Sequence, residues 1–290
     1  MYSLTCFTIA AILSAAGVSA RNSTSECAKG LKMFVSRGTN EPMGAGETGK
    51  VVKVISEQID GSDYEAIRYP ASFENPNYFL SVGNGTRLLK ETITEYARAC
   101  PDSKMAVFGY SQGAQITSNN FCGQPPIWSP YSGIDVTDIH GLVEFAKPLP
   151  KEVTKNVVAV VLFGDTTHRK DASYNRGNST GSGIYWRADI SACEGLGNRI
   201  RSYCDAGDPF CDVNMEPKGN PHLEYVYHYG NEVVEYVIEQ YKSGSSNSSG
   251  TNVGSPSSPT HAPIQISGAN GILSVPVSAI AIVLLVSSMM

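Results

Sequence analysis

Between residues 27 and 241, apolar runs of strand length alternate with stretches whose apolar residues recur every three or four positions. Leu31-Lys-Met-Phe-Val35 reads as a strand and Arg37–Gly46 as a turn-rich connection. Glu47–Ile59 reads as a helix, because Val51, Val52, Ile55 and Ile59 share one face. The order repeats with Tyr64–Tyr69 as a short strand and Arg87–Ala99 as a helix carrying Leu88, Leu89, Ile93, Tyr96 and Ala97. Met105–Phe108 is a further strand, after which Ala114-Gln-Ile-Thr opens a helix. Val157–Phe163 is an unbroken apolar run, as a central parallel strand covered on both faces requires. Ile200–Tyr203 reads as the last strand, and Glu232–Tyr241 closes the domain with Val233, Val234, Val237, Ile238 and Tyr241 at helical spacing. The alternation predicts an α/β fold of three layers, a mainly parallel sheet with helices on both faces. Cys122–Glu152, with five prolines, reads as irregular surface structure.

The chemistry starts where the Met105–Phe108 strand ends. Gly109-Tyr-Ser-Gln-Gly113 fits the G-x-S-x-G elbow, in which a strained strand-to-helix turn exposes the serine hydroxyl and glycines on either side keep Cβ atoms out of the way. With 28 glycines in the chain, roughly 0.3 such matches arise by chance. A second match, Gly177-Asn-Ser-Thr-Gly181, follows no apolar strand and overlaps a glycosylation sequon. Context therefore selects Ser111 as nucleophile and rejects Ser179.

A serine hydroxyl needs a base, and the base needs a carboxylate to fix its tautomer and stabilise the imidazolium. In α/β hydrolases these follow in the order Ser, Asp or Glu, His. Of the five histidines, His140 lies in the irregular stretch and His261 in the C-terminal segment, while His168 precedes the carboxylates that follow the last strand. His222 and His228 remain. His222, in the loop Gly219-Asn-Pro-His-Leu223, is preferred as base; His228, between Tyr227 and Tyr229, reads as half-exposed and structural. Asp208, in Cys204-Asp-Ala-Gly-Asp-Pro-Phe-Cys211, is the preferred acid, since a disulfide closing that loop would hold its carboxylate. Asp205 and Asp212 are its local competitors and Asp165 a more distant one. The elbow supplies the backbone N–H of Gln112 to an oxyanion, and Thr39 in the turn after the first strand can supply the second donor.

The ends lie outside this domain. Met1–Ala20 is short and apolar and finishes in small residues, so it reads as a signal peptide. From Ser243 to Met290 there is no charged side chain. Residues 243–267 read as a Ser/Gly/Pro-rich stalk, and 268–290 as a removable propeptide for a GPI lipid anchor attached at Ser267; a plain membrane anchor is the alternative. The catalytic domain would span 21–242. Asn22, Asn84, Asn178 and Asn247 begin N-x-Ser/Thr sequons, which the routing places in surface loops. Once the signal is removed, Cys27, Cys100, Cys122, Cys193, Cys204 and Cys211 remain, an even set that predicts three disulfides in an oxidising compartment. A net charge of −5 without a basic cluster leaves no footprint for nucleic acid.

Four blocks resemble the cutinase and acetylxylan esterase family: Phe34-Val-Ser-Arg-Gly-Thr-Asn-Glu41, Phe108-Gly-Tyr-Ser-Gln-Gly-Ala114, Ser202-Tyr-Cys-Asp-Ala-Gly-Asp-Pro-Phe-Cys211 and His222-Leu-Glu-Tyr225. The resemblance implies a lidless α/β hydrolase with Ser111, Asp208 and His222 as triad and Thr39 with Gln112 as oxyanion hole. It also implies the pairs Cys27–Cys100, Cys122–Cys193 and Cys204–Cys211. Cys122 and the wording Ser202-Tyr-Cys-Asp205 stand nearer the acetylxylan esterase branch. The resulting expectation is a monomeric serine esterase acting on a polymeric ester, cutin or acetylated xylan, without metal or cofactor. A catalytically silent surface binder is the rival, and would have no reason to keep these residues together.

Overall fold

The computed structural model describes residues 26–123, 147–213, 216 and 219–246. Six strands form one sheet: β1 (Leu31–Ser36), β2 (Asp63–Ala66), β3 (Lys104–Tyr110), β4 (Val157–Phe163), β5 (Asn175–Arg176) and β6 (Ile200–Tyr203). Their spatial order is β2-β1-β3-β4-β6-β5, and every pairing is parallel. The helices are α1 (Gly49–Gln58), α2 (Tyr78–Ala99), α3 (Gln112–Cys122), α4 (Lys151–Thr154), α5 (Ser191–Glu194) and α6 (Tyr225–Ser246).

Alternate residues of each buried strand face opposite sides of a sheet. Val160 and Leu162 of β4 join Leu89 and Ile93 of α2 and Ile116 of α3 in one apolar cluster. Val161 and Phe163 join Val51 and Ile55 of α1 and Val233 and Val237 of α6 in the other. These clusters make the three layers, and explain why β4 is apolar at every position.

Several boundaries differ from the sequence expectation. The second strand stops at Ala66 rather than Tyr69; just beyond it the Tyr69 N–H donates to Ile67 O at 3.1 Å, a local turn that takes the chain out of the ladder. The second helix begins nine residues before Arg87, at Tyr78, capped by Asn77, whose side chain accepts the Leu80 N–H. Gly83 and Gly85 hide this first half because glycine is a weak helix former. Gly85 is there for packing: a Cβ on it would fall 2.3 Å from Ile116 Cδ1 of α3. The last helix begins at Tyr225, not Glu232, and runs on to Ser246, into the region read as stalk. The two-residue β5 carries no pattern long enough to be legible.

Strand order reverses between β1 and β3, the switch point where open α/β sheets place their ligands. Ser36 of β1 pairs with Gly109 of β3, Tyr110 with Phe163 of β4, and Phe163 with Tyr203 of β6. Four connections therefore leave the sheet at one edge, and they carry Thr39, Ser111, Gly164 and Asp208.

Candidate active site

Ser111 stands between β3 and α3 with φ 55° and ψ −119°, a left-handed backbone that a non-glycine residue adopts only when its surroundings impose it. Its N–H donates to Phe163 O of β4 at 2.8 Å. The flanking glycines are steric necessities: a Cβ on Gly109 would meet Gly113 O at 2.3 Å, and one on Gly113 would meet Ser36 O at 2.0 Å. The hydroxyl thus sits at the N-terminus of α3, where helix amides and dipole favour negative charge.

Ser111 Oγ lies 2.9 Å from His222 Nε2, and His222 Nδ1 lies 2.7 Å from Asp208 Oδ2. A carboxylate only accepts, so Nδ1 carries a proton and Nε2 is free to accept from serine. Both partners are buried, Asp208 completely and His222 to 6% exposure. Burial alone pushes the Asp208 carboxyl up, but His222 and the hydrogen bonds from His222, Tyr225 and the Phe210 N–H outweigh it and hold the group below its ordinary value. His222 is the middle residue of a single turn of 3₁₀ helix, Pro221–Leu223, and is flanked by the Phe210 and Tyr110 rings at 4.5 and 5.4 Å. The Tyr110 hydroxyl donates to His222 O at 3.0 Å. Tyr110 is thus a buried support beneath His222.

Thr39 reaches the same place from β1. The buried Gln112 side chain donates to Thr39 Oγ1 at 3.2 Å and to Ser72 O at 3.1 Å, and Ser81 Oγ of α2 donates to Gln112 Oε1 at 2.8 Å. The Thr39 turn is wrapped round Glu41, whose Oε2 and Oε1 accept the N–H groups of Gly38 and Glu47. Glu41 closed one of the sequence blocks without receiving a role. Its sign in sequence was only that it is the sole carboxylate of a Gly-rich loop between Ser36 and Gly46.

The alternatives fall elsewhere. Asp165 Oδ1 accepts the Thr167 N–H and hydroxyl, an ordinary turn. Asp205 accepts from Tyr229, and Asp212 from Gly207 N. His228 is on the first turn of α6 rather than before it, half-exposed, 3.8 Å from Asp205 Oδ2. His168 is buried near the strand end, and His140 and His261 lie outside the described residues.

Disulfides join Cys27 to Cys100, Cys122 to Cys193 and Cys204 to Cys211, the last closing the loop of Asp208. Asn178 is exposed in a loop, where its Oδ1 also accepts the Ala206 N–H. Asn84 is exposed as well, but on α2 and not in a loop, a correction that follows from the early start of that helix. Asn22, Asn247, Ser267, the leader and most of the tail lie outside the described residues. Among the described residues no helix is long and apolar enough to cross a membrane, and no three His, Cys, Asp or Glu side chains group as a metal site.

A serine, histidine and aspartate in hydrogen-bonded series at the mouth of a parallel sheet is a geometry that recurs on unrelated folds, so lineage rests on comparison. A sequence model of the cutinase family matches residues 27–241. The chain belongs to the cutinase family. It is 33% identical over 235 residues to "Acetylxylan esterase" of Hypocrea jecorina, covering 79% of this chain and 73% of that one. "Cutinase 11" of Verticillium dahliae is 31% identical over 241 residues, covering 81% and 76%. Among solved structures, the catalytic core domain of acetyl xylan esterase from Trichoderma reesei superimposes with a TM-score of 0.62 at 31% identity, covering 74% of this chain and 98% of that domain. Membership places the protein among carboxylic ester hydrolases.

Proposed function

We propose that this cutinase-family protein is a secreted serine esterase that works through an acyl-enzyme on Ser111, held at the cell surface by a lipid anchor near Ser267. The observation that carries the mechanism is the unbroken series Ser111 Oγ, His222 Nε2 at 2.9 Å, and His222 Nδ1 to Asp208 Oδ2 at 2.7 Å. Ser111 attacks the ester carbonyl while His222 Nε2 takes its proton, then returns it to the leaving alcohol. Asp208 stays ionised and stabilises the imidazolium. The N–H of Gln112 and the Thr39 turn receive the oxyanion. Water deprotonated by the same histidine releases the acid and restores Ser111.

Acetyl esters on xylan are the substrate class that the relatives favour, since the 33% identical sequence and the 31% identical structure both bear that name; cutin-like polyester is the competing substrate. Three disulfides support routing through an oxidising compartment. A fluorophosphonate that labels wild type at Ser111, but not Ser111→Ala, with loss of ester hydrolysis in that variant, supports the reading. Retained hydrolysis by Ser111→Ala overturns it, and failure of wild type to label favours a silent binder. Release of acetate from acetylated xylan against monomer release from cutin decides the substrate.

A further inference from the structure

Asp208 receives four hydrogen bonds, two on each oxygen. Oδ1 takes the backbone N–H groups of Phe210 at 2.8 Å and Cys211 at 3.1 Å, both within its own disulfide loop. Oδ2 takes His222 Nδ1 at 2.7 Å and the Tyr225 hydroxyl at 2.6 Å. A carboxylate offers about four lone-pair sites, so the acid is fully occupied, and the oxygen that faces the base is shared.

Tyr225 is buried at the start of α6, three residues after the base. Its oxygen accepts the Asp205 N–H at 3.0 Å, which leaves its own proton directed at Asp208, and Cys211 Sγ stands 3.2 Å away. Burial first, and then the charge of Asp208, keep this phenol protonated far beyond its ordinary range. It is a permanent donor with a fixed direction.

We propose that Tyr225 is a positioning residue of the triad: by sharing Oδ2 with His222 it fixes the carboxylate and limits how strongly that oxygen stabilises the imidazolium. The inference rests on the reading of Ser111, His222 and Asp208 as the catalytic series. A donor to a charged acceptor draws charge from it, so two donors on one oxygen compete. Without the Tyr225 hydroxyl, the Asp208 charge would concentrate on His222, and the imidazolium would form more readily. The other titratable groups nearby are Asp205, bound by Tyr229 and faced by His228; the buried Asp212, which accepts from Gly207 N; Tyr110, whose hydroxyl donates to His222 O; and His168, which lies within reach of the Asp208 charge. None of these donates to Oδ2.

Tyr225→Phe keeps the ring and its packing. Tyr236, also buried on α6, donates to Asn198 O at 2.9 Å, so Tyr236→Phe removes an equivalent hydroxyl with no contact to the acid. With p-nitrophenyl acetate as substrate and the purified protein, Tyr225→Phe should move the acid limb of kcat/KM up by about half a pH unit or more. Its plateau kcat should fall several-fold with KM unchanged. Tyr236→Phe should lower the thermal midpoint comparably but leave the limb in place. A Tyr225→Phe limb that coincides with wild type, or moves down, overturns the proposal and leaves Tyr225 a structural residue. That failure is distinct from hydrolysis surviving in Ser111→Ala, which would remove the triad reading itself.

Discussion

Gly164 stands flush against the ring of His222: a Cβ built on it would fall 2.9 Å from both Cε1 and Nδ1 of that ring. The backbone there is left-handed, with φ 58°, so glycine serves conformation and space at once. Gly164→Ala should therefore push the imidazole off the line between Ser111 and Asp208, and a misplacement of about 1 Å costs about 10²-fold in rate. Gly197 supplies the comparison, since it has φ 57° and nothing within 4 Å of a built Cβ. Gly197→Ala should lose a similar amount of stability, about 1–2 kcal/mol for the left-handed strain, with kcat unchanged. Steady-state kinetics and urea denaturation on the pair check this; equal kcat in both variants would sink it.

Thr39 Oγ1 accepts from Gln112 Nε2, which leaves the threonine O–H available for the oxyanion role proposed for it. Thr39→Val keeps the shape and removes that donor, and the expected loss is about 10²–10³ in kcat. Thr39→Ser should keep most of the activity. Ser81→Ala releases only the far end of the Gln112 amide and should cost several-fold. If Thr39→Val and Thr39→Ser have the same kcat, the backbone N–H groups alone serve the oxyanion.

Glu41 uses both carboxylate oxygens on backbone N–H groups of the Thr39 loop. An amide offers one acceptor, and its NH₂ would confront the other N–H, so Glu41→Gln should loosen the turn. Roughly tenfold lower kcat with little change in KM is expected if the proposed oxyanion turn is what Glu41 holds in place. Burial raises the Glu41 pKa above its ordinary value, against the opposing pull of the two N–H groups. Ionised Glu41 therefore costs the fold stability above its folded pKa, and that cost is relieved as pH falls. The Glu41→Gln midpoint measured near neutral pH should thus drop less than the loss of a backbone contact would suggest. A variant with wild-type kcat would contradict this role.

The strands of this sheet were readable wherever a run was apolar enough to be buried on both faces, as at Leu31–Val35 and Val157–Phe163, because there composition and burial are the same fact. The first half of α2 was not, since Gly85 answers to Ile116 on another helix and no local pattern records that neighbour. For the site, Ser111, Asp208 and His222 each carry a local sign in an elbow, a disulfide loop and a loop histidine. Gly164, Glu41 and Tyr225 carry none of that kind. Their contributions lie in a clearance, a pair of backbone N–H groups and a shared oxygen, all relations between segments that sequence spacing does not encode.

His168 gives a test that depends on no catalytic assignment. It is 3% exposed, neither ring nitrogen has a hydrogen-bond partner among the described residues, and burial lowers its pKa despite Asp165, Asp212 and Asp208 nearby. The unfolded chain therefore takes up a proton at His168 more readily than the folded one. Stability should fall as pH drops below about 6.5, the unfolded value, and continue falling until the folded value is reached. One proton bounds the slope at about 1.4 kcal/mol per pH unit. The depressed pKa of Asp208 acts in the same direction at lower pH, where its contribution, full above about 3.9, is lost through the folded value. The two separate by window. Urea denaturation of wild type and His168→Gln at pH 7.5, 6.5, 5.5 and 4.5 should show a difference that narrows on acidification, because the glutamine variant has no ring to protonate. A constant difference across these values would mean that His168 is protonated equally in both states, and that burial does not hold it neutral.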